Sequence, residues 1–156
     1  MRAQRIKREG AEKVYMTFKN GEAYQLLPGT PVCVDFATDA DGCTVKTPAD
    51  ANVNFFVGVV GDKTIGTSGN NDQYGEILKY GYAAKIRING LSTIAPGSYL
   101  KILAGSSTMR GATVAGASTD EHPDLLKLLS AKVIAGTTQA ASAGLNTNII
   151  GFVRGL

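Results

Sequence analysis

The stretch 55–103 constrains the fold most, because short apolar runs alternate there with glycine-bearing turns. It reads Phe55-Phe56-Val57-Gly58-Val59-Val60-Gly61, then Tyr74-Gly75-Glu76-Ile77-Leu78-Lys79-Tyr80-Gly81-Tyr82, then Ala84-Lys85-Ile86-Arg87-Ile88-Asn89-Gly90. Ile94-Ala95-Pro96-Gly97-Ser98-Tyr99-Leu100-Lys101-Ile102-Leu103 closes the block. These runs predict four or five short β-strands. The 19 glycines among 156 residues, with few segments of helical period, point the same way. A chain of this length buries roughly 70% of its unfolded surface as a single domain and needs no staple. The expected fold is all-β: a small β-barrel or sandwich-like body with an extended N-terminal arm and one short helix.

The arm spans 1–22 and the β-rich body 23–156, with Asn20-Gly21 as a turn signal near the boundary. Within the arm, Val14, Met16 and Phe18 alternate with Tyr15, Thr17 and Lys19, the pattern of one short strand. Beyond it, Pro31–Phe36 and Cys43–Lys46 flank Thr38-Asp39-Ala40-Asp41-Gly42, a polar hairpin tip carrying the Asp-Gly turn signal. Phe55–Val60 is apolar enough to be a buried strand. The polar segment 61–73, rich in Gly and Asn, is expected to be an exposed loop. Lys85 and Arg87 share one strand face, and Gly81 marks a bulge or a sharp bend. A weak strand is expected near 112–115, and further strands at 132–135 and 148–153. The short helix is placed at His122–Leu129, with Pro123 at its first position and Asp124 in its first turn; a strand there is the alternative.

Candidate chemistry fails on spacing. Asp39-x-Asp41-Gly42 resembles part of a calcium loop, but Ala37 and Pro48 stand where further ligands are needed. Gly61-Asp62-Lys63-Thr64 follows an apolar strand, yet Asp62 separates Gly from Lys and would repel a phosphate. His122 is the only histidine, which excludes multi-histidine metal sites, and no G-x-S-x-G elbow occurs. Cys33 and Cys43 are too few for a disulfide framework; two small thiols are favoured over one bridge. The expectation is a non-enzyme with no catalytic residue, metal or cofactor. Tyr74, Tyr80, Tyr82 and Tyr99 suit packing at a sheet edge with wet hydroxyls, or anchoring an interface.

Charge is concentrated at one end. Arg2, Arg5, Lys7, Arg8 and Lys13 stand against Glu9 and Glu12, a net of +3 that equals the net charge of the whole chain. The remainder is neutral, which disfavours nucleic acid as a partner. No apolar run is long enough for a transmembrane helix, and no apolar region follows the basic N-terminus as a secretory signal requires. Synthesis in a cytoplasm is expected.

The order of elements resembles the decoration, or cement, proteins of tailed-bacteriophage capsids. The resemblance rests on Pro31–Phe36, the acidic tip Thr38–Gly42, Asn54–Val60, Tyr74–Tyr82, Ile94–Lys101 and the terminal run Asn148–Val153. It covers about 28–156; the His-Pro segment near 122 has no counterpart in it. It implies a virion structural protein on the outer surface of an icosahedral capsid, made in the host cytoplasm. Its partner would be the major capsid protein, whose neighbouring subunits it clamps, and its assembly a homo-oligomer, with a trimer favoured. Two other classes stay open: a receptor- or glycan-binding β module of a virion fibre or surface protein, and a small hydrolase within a β-barrel.

The arm carries the candidate partner-binding residues Arg2, Arg5, Lys7, Arg8, Val14, Met16 and Phe18. Ordering an extended segment costs about 1–2 kcal/mol per residue. Surface ion pairs return about 0–1 kcal/mol each, so the apolar residues must supply the rest, at about 1.5–3 kcal/mol per buried side chain. The expected arrangement pairs Val14–Phe18 as a strand with a neighbouring subunit, while the basic tip steers onto an acidic shell surface.

Overall fold

The computed structural model describes residues 13–89, 99–102, 104–112, 129–135 and 146–155. The all-β expectation holds, and the barrel is the form it takes. Nine strands follow in order: β1 Val14–Asn20, β2 Pro31–Val34, β3 Thr44–Lys46, β4 Phe56–Val60, β5 Tyr74–Asn89, β6 Tyr99–Ile102, β7 Met109–Ala112, β8 Leu129–Ala135 and β9 Asn146–Arg154. Among the described residues the one helical element is a 3-10 turn at Val53–Phe55.

The 16-residue strand β5 organises the molecule. The pairing path β1-β3-β2-β4-β5 returns to β1 and closes a five-stranded barrel. A second path, β5-β7-β6-β8-β9, also returns to β5. The two closures use different parts of the strand. β1 pairs antiparallel with Tyr74–Tyr80, from Lys19 opposite Tyr74 to Val14 opposite Tyr80. β9 pairs antiparallel with 80–89, from Arg154 opposite Tyr80 to Asn146 opposite Asn89. Gly81 follows this changeover with φ +119°, a conformation that side-chain-bearing residues rarely adopt. From sequence, 74–82 and 84–90 read as separate runs, with Gly81 as a bulge or sharp bend; the structure carries one strand through both up to Asn89.

Each closure has its own core, because successive side chains of a strand point to opposite faces. Phe18, Val32, Val34, Val45, Val57, Val60 and Ile77 fill the first barrel, joined by Leu26 and Ile65. Cys33, Phe56, Val59 and Leu78 point the other way and pack with Ile86, Ile88, Leu100, Met109 and Val153. The large aliphatic side chains described within 55–103 are therefore internal, while Tyr74 and Tyr80 are exposed.

Three expectations are corrected. Val14–Phe18 was expected to pair with a neighbouring subunit, but it is a barrel strand of its own chain, and Phe18 lies in the barrel core. An isolated alternating strand carries no information about whose edge it joins, and β5 offers its own edge over six register positions. The strand therefore belongs to the body rather than to an arm ending at 22. The segment 61–73 is not wholly an exposed loop. Ile65 is 1% exposed and bridges to Leu26, and the amide of Gly66 donates to the Asp72 carbonyl at 2.9 Å. Residues 62–64 and the tip 68–72 are exposed on either side of this buried pair. The strand expected from 132 starts at Leu129; the weak strand expected near 112–115 lies outside the described residues but for Ala112, which ends β7. The helix expected from His122 lies, but for Leu129, outside the described residues.

Candidate functional site

The β2–β3 tip is closed by its own side chains. Lys46 pairs with Asp35 at 2.7 Å, and the Thr38 hydroxyl donates to the same carboxylate oxygen. These bonds, that from Lys46 foremost, hold the Asp35 carboxyl below its ordinary range. Asp39 accepts from the Thr44 hydroxyl at 2.8 Å and from the Asp41 amide at 3.1 Å, and the Thr44 bond chiefly lowers its pKa. The two carboxylates suggestive of a calcium loop thus serve different ends: Asp39 caps the turn, while Asp41 faces solvent. Among the described residues no three His, Cys, Asp or Glu side chains are placed to hold a metal ion.

Beside this tip stands an exposed aromatic pair. Phe36 and Phe55 meet edge to face at 5.0 Å and 83°, yet are 48% and 38% exposed. Phe36 follows β2 and lies against Gly42 of the tip; Phe55 ends the 3-10 turn. The turn is fixed by Asn52, whose side chain accepts from the Ala49 amide at 2.6 Å and whose carbonyl accepts from the Phe55 amide at 2.8 Å. Asp50, just before the turn, is exposed. From Asp35 to Asp50 the chain holds four aspartates and one lysine, a net of −3. The corner is aromatic at its centre and acidic at its rim.

A second surface lies where β1 enters the barrel. Lys13, Tyr15, Gly61, Asp62, Tyr82 and Lys85 line a shallow groove between β1, the end of β4 and the far half of β5. The Lys13 ammonium sits 5.8 Å from the Tyr82 ring centroid, a cation–π contact. Tyr15 packs against the second core.

Of the sequence candidates, Phe18 is buried, while Val14 and Met16 are 46% and 44% exposed. Val14 stands opposite Tyr80, itself 44% exposed, so the mouth of the barrel carries an apolar rim. Arg2, Arg5, Lys7, Arg8 and His122 lie outside the described residues. Sequence reading did not find the Phe36–Phe55 pair, because nothing local shows that residues nineteen positions apart meet. Both cysteines are free: Cys33 is buried and Cys43 exposed. Among the described residues no helix is long and apolar enough to cross a membrane.

No family model matches the sequence, and no curated protein matches it. In structure the chain is similar to the N base of the head fibre gp8.5 of bacteriophage phi29, with 11% identity, a TM-score of 0.48, and coverage of 93% of this chain and 98% of that one. A likeness of that size carries no functional weight.

Proposed function

We propose that this protein is a virion structural protein that binds the outer face of an icosahedral capsid and clamps neighbouring subunits of the major capsid protein. One observation carries the reading: the exposed large apolar residues of the described body are mostly aromatic, Tyr24, Phe36, Phe55, Tyr74 and Tyr80 beside Val14, Met16 and Leu27. Aromatic side chains offer large contact area at low entropic cost and concentrate at protein interfaces. The sequence resemblance to capsid decoration proteins supplies the partner class. The basic residues Arg2, Arg5, Lys7 and Arg8 add salt-sensitive steering toward an acidic shell surface. A homo-oligomer, with a trimer favoured, would multiply these weak contacts.

The test is co-sedimentation of the purified chain with expanded, empty shells of the virus whose genome encodes it. Saturable binding and greater resistance of the shells to heat are expected. Binding to host cells or to glycans, with no affinity for shells, would overturn the proposal in favour of a receptor-binding fibre module.

A further inference from the structure

The acidic aromatic corner and the basic tyrosine groove are opposite in charge and alike in aromatic character. The segment 35–50 that carries Phe36 holds four aspartates against Lys46, with Lys19 beside Asp39, whereas Lys13 and Lys85 against Asp62 border Tyr15 and Tyr82. Lys13, Lys85, Asp41 and Asp50 are all exposed.

The corner of one molecule does not face its own groove. The Lys19 amide donates to the Cys43 carbonyl at 2.9 Å, which sets the hairpin tip beside the C-terminal end of β1. Lys13 precedes the other end. Six residues of extended chain, about 20 Å, separate the two lysines.

We infer that copies of this chain associate head to tail, the Phe36–Phe55 corner of one copy seating in the Lys13–Tyr82–Lys85 groove of the next. Corner against corner would oppose the exposed carboxylates of Asp41 and Asp50, and groove against groove would set two lysines against one aspartate on each side, so a two-fold contact through either surface gains less charge attraction than corner against groove. Corner against groove satisfies both charges and covers the two half-exposed phenylalanines with tyrosine walls. A contact between two different patches repeats from copy to copy and closes into a ring where the rotation permits. The inference deepens the homo-oligomer part of the proposed function by naming the surfaces that meet.

Charge reversal tests it on the full chain. Lys13→Asp with Lys85→Asp makes the groove acidic; Asp41→Lys with Asp50→Lys makes the corner basic. All four side chains are exposed, and dichroism with thermal melts confirms that each variant folds. In sedimentation equilibrium the unaltered protein should self-associate, less so at high salt. Each variant alone should lose at least about tenfold in association affinity. Mixing the two variants should restore association, because each surface then meets its opposite. Variants that associate as the parent does, a mixture that stays monomeric, or a parent that is monomeric at every concentration would each overturn the contact. Shell binding is read separately: a parent that self-associates through these residues but ignores shells defeats the proposed function and leaves this contact standing.

Discussion

Gly155 lies directly against the carbonyl of Val57. A Cβ at Gly155 would overlap that oxygen, and the Gly155 amide donates to the Lys79 carbonyl at 2.7 Å. The end of the chain is thereby set against both β4 and β5, where the first barrel meets the second closure. The obstructing atom is backbone, so no side-chain rotation relieves it. Gly155→Ala should cost about 1–3 kcal/mol or more, read as a lower denaturant midpoint at unchanged slope. An unchanged midpoint would mean that this contact is not held in solution.

Acid should weaken the hairpin tip through Asp35. Its carboxyl is held below the ordinary range by the hydrogen bond from Lys46, then by that from Thr38. A group depressed in the folded state stabilises the fold fully above its unfolded pKa of about 3.9, and that contribution is lost as pH falls through the lower folded value. The melting temperature should therefore fall on acidification below about pH 4, and it should fall less steeply in Asp35→Asn. Parallel curves for parent and variant would show that Asp35 contributes no linked stability. The buried position of Asp35 makes the variant less stable at neutral pH, where the charge-assisted bond is complete.

Much of this tip was legible from sequence. Asp41-Gly42 between two β-rich runs located the turn, and Phe55–Val60 identified a buried strand, because both signals are local. The alternation of Val14, Met16 and Phe18 likewise found β1, but alternation says only that a strand exists. Its partner is set by pairing with residues some sixty positions away, from Val14 opposite Tyr80 to Lys19 opposite Tyr74. The same holds for the double closure on β5, which depends on Arg154 meeting Tyr80 and on Ile88 meeting Met109. The two candidate surfaces were hidden for that reason: each is assembled from segments that only the closed barrel brings together.

The two thiols should differ sharply in reactivity. Cys33 is fully buried, and burial pushes its pKa up to about 12, so almost none of it is thiolate at neutral pH. Cys43 is exposed and precedes β3. A thiol reagent should label one cysteine in the native protein, identified as Cys43 by peptide mapping. Cys33 should react only on unfolding, at a rate that follows barrel opening. Rapid labelling of both would place Cys33 outside the core.

Truncation separates the basic segment from the barrel. Deleting residues 1–12 removes Arg2, Arg5, Lys7 and Arg8 but leaves β1 intact. The fold should survive with stability changed by about 0.5 kcal/mol or less, as for surface substitutions, while shell binding weakens and loses salt dependence. Deleting 1–20 is a different operation. It removes Phe18 from the barrel core, worth about 1.5–3 kcal/mol. It also removes Asn20, fully buried, whose side-chain amide donates to the carbonyls of Tyr24 at 2.8 Å and Gly66 at 2.7 Å and whose side-chain oxygen accepts from the Glu22 amide at 2.8 Å. Those three bonds contribute about 0.5–1.5 kcal/mol each. The loss also strips the β1 partner from β5 over six register positions and uncovers Ile77. Against a domain stability of about 5–15 kcal/mol, these losses should abolish cooperative unfolding. Point variants divide the effect: Asn20→Ala should cost about 1–3 kcal/mol, and exposed Met16→Ala about 0.5 kcal/mol or less. A 1–20 deletion that still melted cooperatively at the parent temperature would show that the barrel closes without β1.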